Sequence, residues 1–178
     1  MLIPSIDYLH ECFDGYRFGY LLWKERPSYH FSSEKVATGW NVRFAGTMAG
    51  SVDGKGYRHV IINNRLYRSH RVIYAMYKGY WPENEIDHID GNRQNNNPKN
   101  LREVDRQNNC KNLALSSKST TGVCGVYFIG RLNKWGAQIK VNGKVIWLGV
   151  HETLDEARLA RKIAEKRFNF HPNHGRKR

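Results

Sequence analysis

Cysteine is scarce: the 178 residues contain three, Cys12, Cys110 and Cys124. An odd, widely spaced set with no C-x-x-C pair argues against a disulfide scaffold and a zinc knuckle, so these read as small reduced side chains. Long apolar runs are missing as well. No stretch of about 18 apolar residues occurs, and no membrane span is expected. The N-terminal Met1-Leu2-Ile3-Pro4-Ser5-Ile6-Asp7 has no basic segment ahead of an apolar one and does not read as a secretory signal. A soluble, intracellular protein is the expectation. No internal repeat is visible. Acidic residues are also few, 16 Asp+Glu against 29 Lys+Arg, for a net charge of +13. That imbalance points to a polyanionic partner. It is uneven along the chain: residues 110–178 hold 14 Lys+Arg against 4 Asp+Glu, and the other 109 residues hold 15 against 12. What is plentiful is core material. Hydrophobic residues make up 40% and aromatics 12%, enough for packed cores rather than wholesale disorder.

Residues 1–55 carry little pattern. Residues 16–23 alternate aromatic and small or polar side chains and read as a strand; residues 28–35 read as loop. From Gly56 the pattern sharpens. Residues 57–62 and 65–68 are strand-like around an Asn63-Asn64 turn. Ser69 reads as the N-cap of a helix with Val72, Ile73 and Met76 on one face, ended by Gly79 and followed by Pro82. A short strand at 85–88, an Asn- and Gly-rich loop, a strand at 101–104 and a short helix at 105–112 follow. Residues 116–121 are linker-like. Three strands are then expected at 124–129, 134–141 and 144–150, the last two joined by Asn142-Gly143, a strong hairpin signal. Thr153-Leu154-Asp155-Glu156 fits a capping box, and Ala157, Ala160, Ala164 and Phe168 share one face of the helix it opens. Small residues on that face let the helix lie close to a sheet. The fold class expected is α+β.

Chemistry concentrates at Asp87-His88, at the end of a strand. A carboxylate supplies a charged oxygen to a hard divalent cation. A neutral imidazole can take a proton from water near neutral pH. An Asp-His pair alone is weak evidence, because such pairs are common on surfaces. The run Ile86-Asp87-His88-Ile89-Asp90-Gly91-Asn92, then Asn95-Asn96-Asn97, then Asn100-Leu101-Arg102, closely resembles the HNH family of His-Me finger nucleases. It looks most like the homing-endonuclease branch of phages and mobile elements, with the pattern D-H-x-D-G-N, an Asn-rich loop, N-L, and a further Asn on the next helix. The resemblance spans about residues 56–112. It implies a ββα-metal finger that cleaves or nicks DNA with one divalent cation. By position it makes His88 the general base, Asp87 a metal ligand, and Asn100 the middle residue whose amide pins the loop and helps orient the histidine. Asn109 would be the second protein ligand, with Asn108 and Asn112 as competitors. Amide oxygen in place of the family's commoner histidine suits Mg²⁺, or Mn²⁺, better than zinc. Asp90, Gly91 and Asn92 read as loop-shaping residues. Ser69-His70-Arg71-Val72-Ile73-Tyr74 also matches a segment often found before this motif, where His70 and Arg71 would either touch phosphate or pack.

Further on, Gly122-Val123-Cys124-Gly125-Val126-Tyr127-Phe128, Lys134-Trp135-Gly136-Ala137-Gln138-Ile139, Trp147-Leu148-Gly149 and Thr153-Leu154-Asp155-Glu156-Ala157 together resemble the Apetala/ethylene-response-factor type of DNA-binding domain, over about residues 119–169. That family lays a three-stranded antiparallel sheet, backed by one helix, in the major groove. The resemblance implies Tyr127, Arg131, Lys134, Trp135, Gln138, Lys140, Lys144 and Trp147 as DNA contacts. Tyr127 departs from the Arg usual in plant members, and His151 stands where an aromatic is common, so base specificity does not transfer. Trp135 and Trp147 read equally well as core residues.

The expected organisation is thus an N-terminal region at 1–55 supporting the finger, a nuclease domain at 56–115, a DNA-binding domain at 119–170 and a basic tail at 171–178. The expected activity is phosphodiester hydrolysis on double-stranded DNA by a monomer or homodimer, with no small-molecule cofactor and no membrane. If phage-encoded, the protein works in the cytoplasm of a bacterial host. The rival readings are a DNA-binding transcription regulator with an inactive finger and a basic RNA-binding protein.

Overall fold

The computed structural model describes residues 3–105 and 109–177. The chain divides into two compact units, Met1–Glu103 and Val104–Arg178. The architecture is mixed, with four α-helices and several small sheets among the described residues.

In the first unit, α1 (Ile6–Cys12) is opened by Ser5, whose hydroxyl accepts from the Tyr8 amide. The short strands β1 (Phe13–Asp14) and β2 (Leu22–Trp23) pair antiparallel. Between them the backbone does not run extended, as residues 16–23 lead one to expect. Tyr16–Phe18 forms a 3-10 turn between Gly15 and Gly19, both left-handed (φ 78° and 92°). The expected loop at 28–35 gives way to a 3-10 turn at Ser28–His30 and then to α2 (Glu34–Phe44), capped by Ser33. Helix α2 fully buries only Ala37, so it carries no clear apolar stripe to betray it.

Strands β3 (Ser51–Val52), β4 (Arg58–Ile62) and β5 (Arg65–Arg68) form an antiparallel sheet in that order. Asn63 and Asn64, both at positive φ, make the β4–β5 turn, the conformation that short hairpin loops favour. Helix α3 (Ser69–Lys78) ends on left-handed Gly79. Its N-cap is Arg68 rather than Ser69; Ser69 is already helical, and its buried hydroxyl has no partner. Strands β6 (Glu85–His88) and β7 (Leu101–Val104) pair with each other. One core joins α1, β1, β4, α3, β6 and β7: Leu9, Cys12, Phe13 and Leu21 from the N-terminal region, Val60 and Ile62 from β4, Val72, Ile73 and Met76 from α3, Ile86 and Leu101 from β6 and β7. Each large side chain so buried is worth about 1.5–3 kcal/mol. The indole of Trp81 donates to the Pro4 carbonyl and ties down the start of the chain.

In the second unit, β8 (Val126–Ile129), β9 (Lys134–Val141) and β10 (Lys144–His151) form an antiparallel sheet in the order β10-β9-β8. Asn142 and Gly143, both at positive φ, turn the chain between β9 and β10. Helix α4 (Leu154–Arg167) opens with the full capping box of Thr153 and Glu156. It buries Ala157 and Ala164, and Ala157 packs with Val126, Ala137, Trp135 and Leu148. Residues 171–176 are tied by hydrogen bonds to the start of this unit. His171, Gly175 and Arg176 form backbone hydrogen bonds with Lys111, Leu113 and Leu115.

Candidate active site and nucleic-acid face

Strand β6 turns inward at Ile86, Asp87 and His88, all buried. The loop from β6 to β7 then shapes itself around one carboxylate. Asp90 accepts from the Asn92 amide (2.8 Å) and from the Asn100 (2.9 Å) and Asn95 (2.7 Å) side chains. Asn100 answers from the far end: its oxygen accepts from the Asp90 amide, and its nitrogen also donates to the Asn95 carbonyl. Partial burial works against the Asp90 charge, but those donors outweigh it and hold the pKa below the ordinary value. Gly91, at φ 76°, permits the tight turn. Asn100 therefore staples both ends of the loop.

The partner of His88 is a different residue. His88 Nε2 lies 2.9 Å from the side-chain oxygen of Asn96, and both residues are about 5% exposed. An amide oxygen only accepts, so Nε2 carries the proton and Nδ1 is the basic nitrogen. Burial lowers the pKa of His88 and favours the neutral ring. The His70 ring stands edge-on at 5.0 Å. Burial, helped by the charges of His88, Arg68 and Arg71, pushes the His70 pKa down to about 3. Asp87, 8% exposed, accepts from Arg102 Nε (3.1 Å) and Nη2 (2.9 Å), so a β7 side chain orients its carboxylate.

The first unit thus brings Asp87, His88 and Asn100 onto one strand-loop-strand frame. Asn109 belongs to the second unit, and Asn108 lies outside the described residues. Asn112 is buried, and both its carbonyl and its side-chain oxygen accept from Arg176. Arg71 donates to the carbonyls of Pro82 and Asn84, a packing role. Asn96 was not singled out from sequence, where nothing separates it from Asn95 and Asn97.

In the second unit, register sorts the proposed contacts. Tyr127 pairs with Gly136 and Trp147 with Gln138, so these share the face opposite α4 with Lys134 and Lys140. Tyr127 is 40% and Trp147 49% exposed, their rings 6.3 Å apart across Gly136. A Cβ at Gly136 would come 2.9 Å from the Trp147 ring. Arg131 lies exposed in the turn after β8, and Lys144 is exposed at the hairpin end of β10. Trp135 pairs with Phe128 on the opposite face, where it packs into the core, so it stands apart from the other candidates.

No curated protein and no solved structure matches the chain. Residues 67–111, from β5 through the Asp87-His88 strand and its loop, match the HNH endonuclease family, and the chain carries an HNH endonuclease domain there.

Proposed function

We propose that the protein is a metal-dependent DNA endonuclease of the homing type, hydrolysing phosphodiester bonds with His88 as general base. The observation that carries this is the state of His88: buried, held neutral, its Nε2 proton fixed on Asn96, beside a buried carboxylate in a segment of the HNH endonuclease family. His88 Nδ1 takes a proton from water as the water oxygen attacks phosphorus and the bond to the leaving sugar oxygen breaks. Asn96 sets the tautomer, and Asn100 keeps the loop that carries Asn96 in place.

The donors suit a hard cation. Asp87 offers a buried carboxylate, and among the described residues no group of three or more His, Cys, Asp or Glu is placed to hold a metal. Mg²⁺ tolerates so few protein ligands because it keeps several waters, and Mn²⁺ accepts the same oxygen donors. The sequence pattern assigns Asn109 as the second ligand. The chemistry supplied by the cation, when bound, is polarisation of the scissile phosphate and neutralisation of the leaving oxygen. Arg102 holds Asp87 in its orientation.

The second unit would grip duplex DNA with its exposed sheet face. Lys134, Lys140, Arg131 and Lys144 meet phosphates, while Gln138, Tyr127 and Trp147 meet base edges. Trp135 supports the sheet from the core.

Supercoiled plasmid incubated with the protein in Mg²⁺, in Mn²⁺ or in chelator tests the reading. Nicked or linear product is expected in either metal and none in chelator. His88→Ala should abolish cleavage while DNA retention persists; nicking by that variant at the wild-type rate overturns the mechanism.

A further inference from the structure

Two guanidinium groups stack on Tyr57, whose ring neighbours that of His88, and the chemistry above uses neither. Arg68, the last residue of β5, places its Cζ 4.5 Å from the centroid of the Tyr57 ring. Arg93, in the loop between β6 and β7, places its own 4.7 Å from the same centroid. The Tyr57 ring lies 6.2 Å from the ring of His88 and 5.5 Å from that of His70. Neither arginine forms an ion pair among the described residues. Arg68 is exposed, and Arg93 is half-buried with Nη1 donating to the Lys55 carbonyl.

Two like charges over one ring repel each other. Stacking on a tyrosine returns only about 0.5–2 kcal/mol per cation. The platform is nonetheless built firmly. Asp53 accepts from the amides of Lys55 and Tyr57, and its own amide donates to the Tyr57 carbonyl. That turn presents the Lys55 carbonyl that holds Arg93. The neighbouring charges are otherwise engaged: Arg71 is bound to main-chain carbonyls and His70 is neutral. What remains is two guanidinium forks on one ring with no ion-pair partner among the described residues, and such forks match phosphate oxygens.

We propose that Arg68 and Arg93, both stacked on Tyr57, form a clamp that grips a DNA phosphate beside His88, with Tyr57 as its positioning residue. An anion between the two guanidinium groups turns their repulsion into attraction to a shared partner. The clamp rests on the nuclease reading for its role in cleavage, but its grip on phosphate is measurable without cleavage.

The test therefore has two arms. In the first, kcat and KM for plasmid nicking are measured for Arg68→Ala, Arg93→Ala and the double variant, with thermal melting as the check on folding. Each single change is expected to lower kcat/KM about tenfold or more, as loss of a charged hydrogen bond does. The double change costs less than the product of the two, because both side chains serve one phosphate. Lysine at either position keeps the charge and loses the fork, and should fall between wild type and alanine. Tyr57→Phe retains most of the kcat/KM that Tyr57→Leu loses. In the second arm, the same arginine changes are placed in the full-length His88→Ala chain, and plasmid binding is followed against salt. The slope of log K on log salt should become shallower by about one, one phosphate contact. Unchanged kcat/KM and unchanged slope in the alanine variants overturn the clamp while leaving the nuclease reading intact. Failure of wild type to nick in either metal overturns the nuclease reading, and the salt slope still decides the clamp.

Discussion

Both units bury histidine, and the bonds around the two rings differ in sense. In the first unit, His88 Nε2 faces the oxygen of a neutral amide, Asn96. In the second, the buried ring is that of His174, 7% exposed, whose Nε2 lies 3.1 Å from Nη2 of Arg161. A guanidinium only donates, so that nitrogen of His174 is an acceptor already engaged by a cation, and Nδ1 is buried without a partner. Around it Arg161 also donates to the Gln138 carbonyl and pairs with Glu165, itself paired with Lys162. The second unit closes its buried charges on one another. The first holds a neutral ring against an amide, on a strand that also buries Asp87. Burial of a polar side chain alone does not mark chemistry.

The sharpest way to break this contrast is to remove each ring. His88→Ala should lower plasmid nicking about 10²–10⁴-fold, the usual contribution of a positioned base. His174→Leu should lower the melting temperature and leave the nicking rate of the folded protein unaltered. A loss of cleavage in the second variant comparable to the first would erase the distinction. Glu165→Ala comes next. It leaves the Arg161 charge buried and uncompensated and should cost about 3–5 kcal/mol in urea unfolding, the penalty for breaking a buried pair; a midpoint unchanged from wild type would show that the network does not hold the fold.

Smaller effects sharpen the first unit. Asn96→Ala frees the tautomer of His88 and should cost about 1–3 kcal/mol in the transition state, roughly 5- to 150-fold in kcat, with KM little changed. A rise in KM at constant kcat would place Asn96 in DNA binding instead. His70 should make stability depend on pH. Its ring is faced by His88, Arg68, Arg71 and His59, and with burial they hold it neutral down to about pH 3. The unfolded chain takes up that proton near pH 6.5, so the stabilisation is fully present above that and is lost as pH falls from about 6.5 towards 3. The slope for this one group is about 1.4 kcal/mol per pH unit in that window. Denaturant midpoints for His70→Phe should fall less steeply over that range than those of wild type.

The sequence disclosed what is encoded locally. Asn63-Asn64, Asn142-Gly143, Gly79 and the Thr153 capping box each act through their own backbone, and each stands where its chemistry requires. Elements defined by long-range packing were hidden. Helix α2 fully buries a single alanine and leaves no periodic stripe, while Gly15 and Gly19 break the alternation that resembled a strand. Within the site, Asp87, His88 and Asn100 stand out through the resemblance to the HNH pattern. Asn96 does not, because its role comes from the fold of a loop that holds three consecutive asparagines. Trp135 shows the same limit: its neighbours in sequence resemble contact residues, and only strand register turns it towards the helix.

Gly19 marks where the N-terminal region meets the loop between β6 and β7. A Cβ there would come 2.6 Å from the Asn97 amide nitrogen and 2.8 Å from the Asn96 carbonyl carbon, so this stretch of chain rests directly on the backbone of the loop that holds His88. The N-terminal region is packed against the backbone that carries Asn96. Damage to it, by truncation or by a bulkier residue at this contact, would register as lost alignment of the histidine rather than as a missing reactive group.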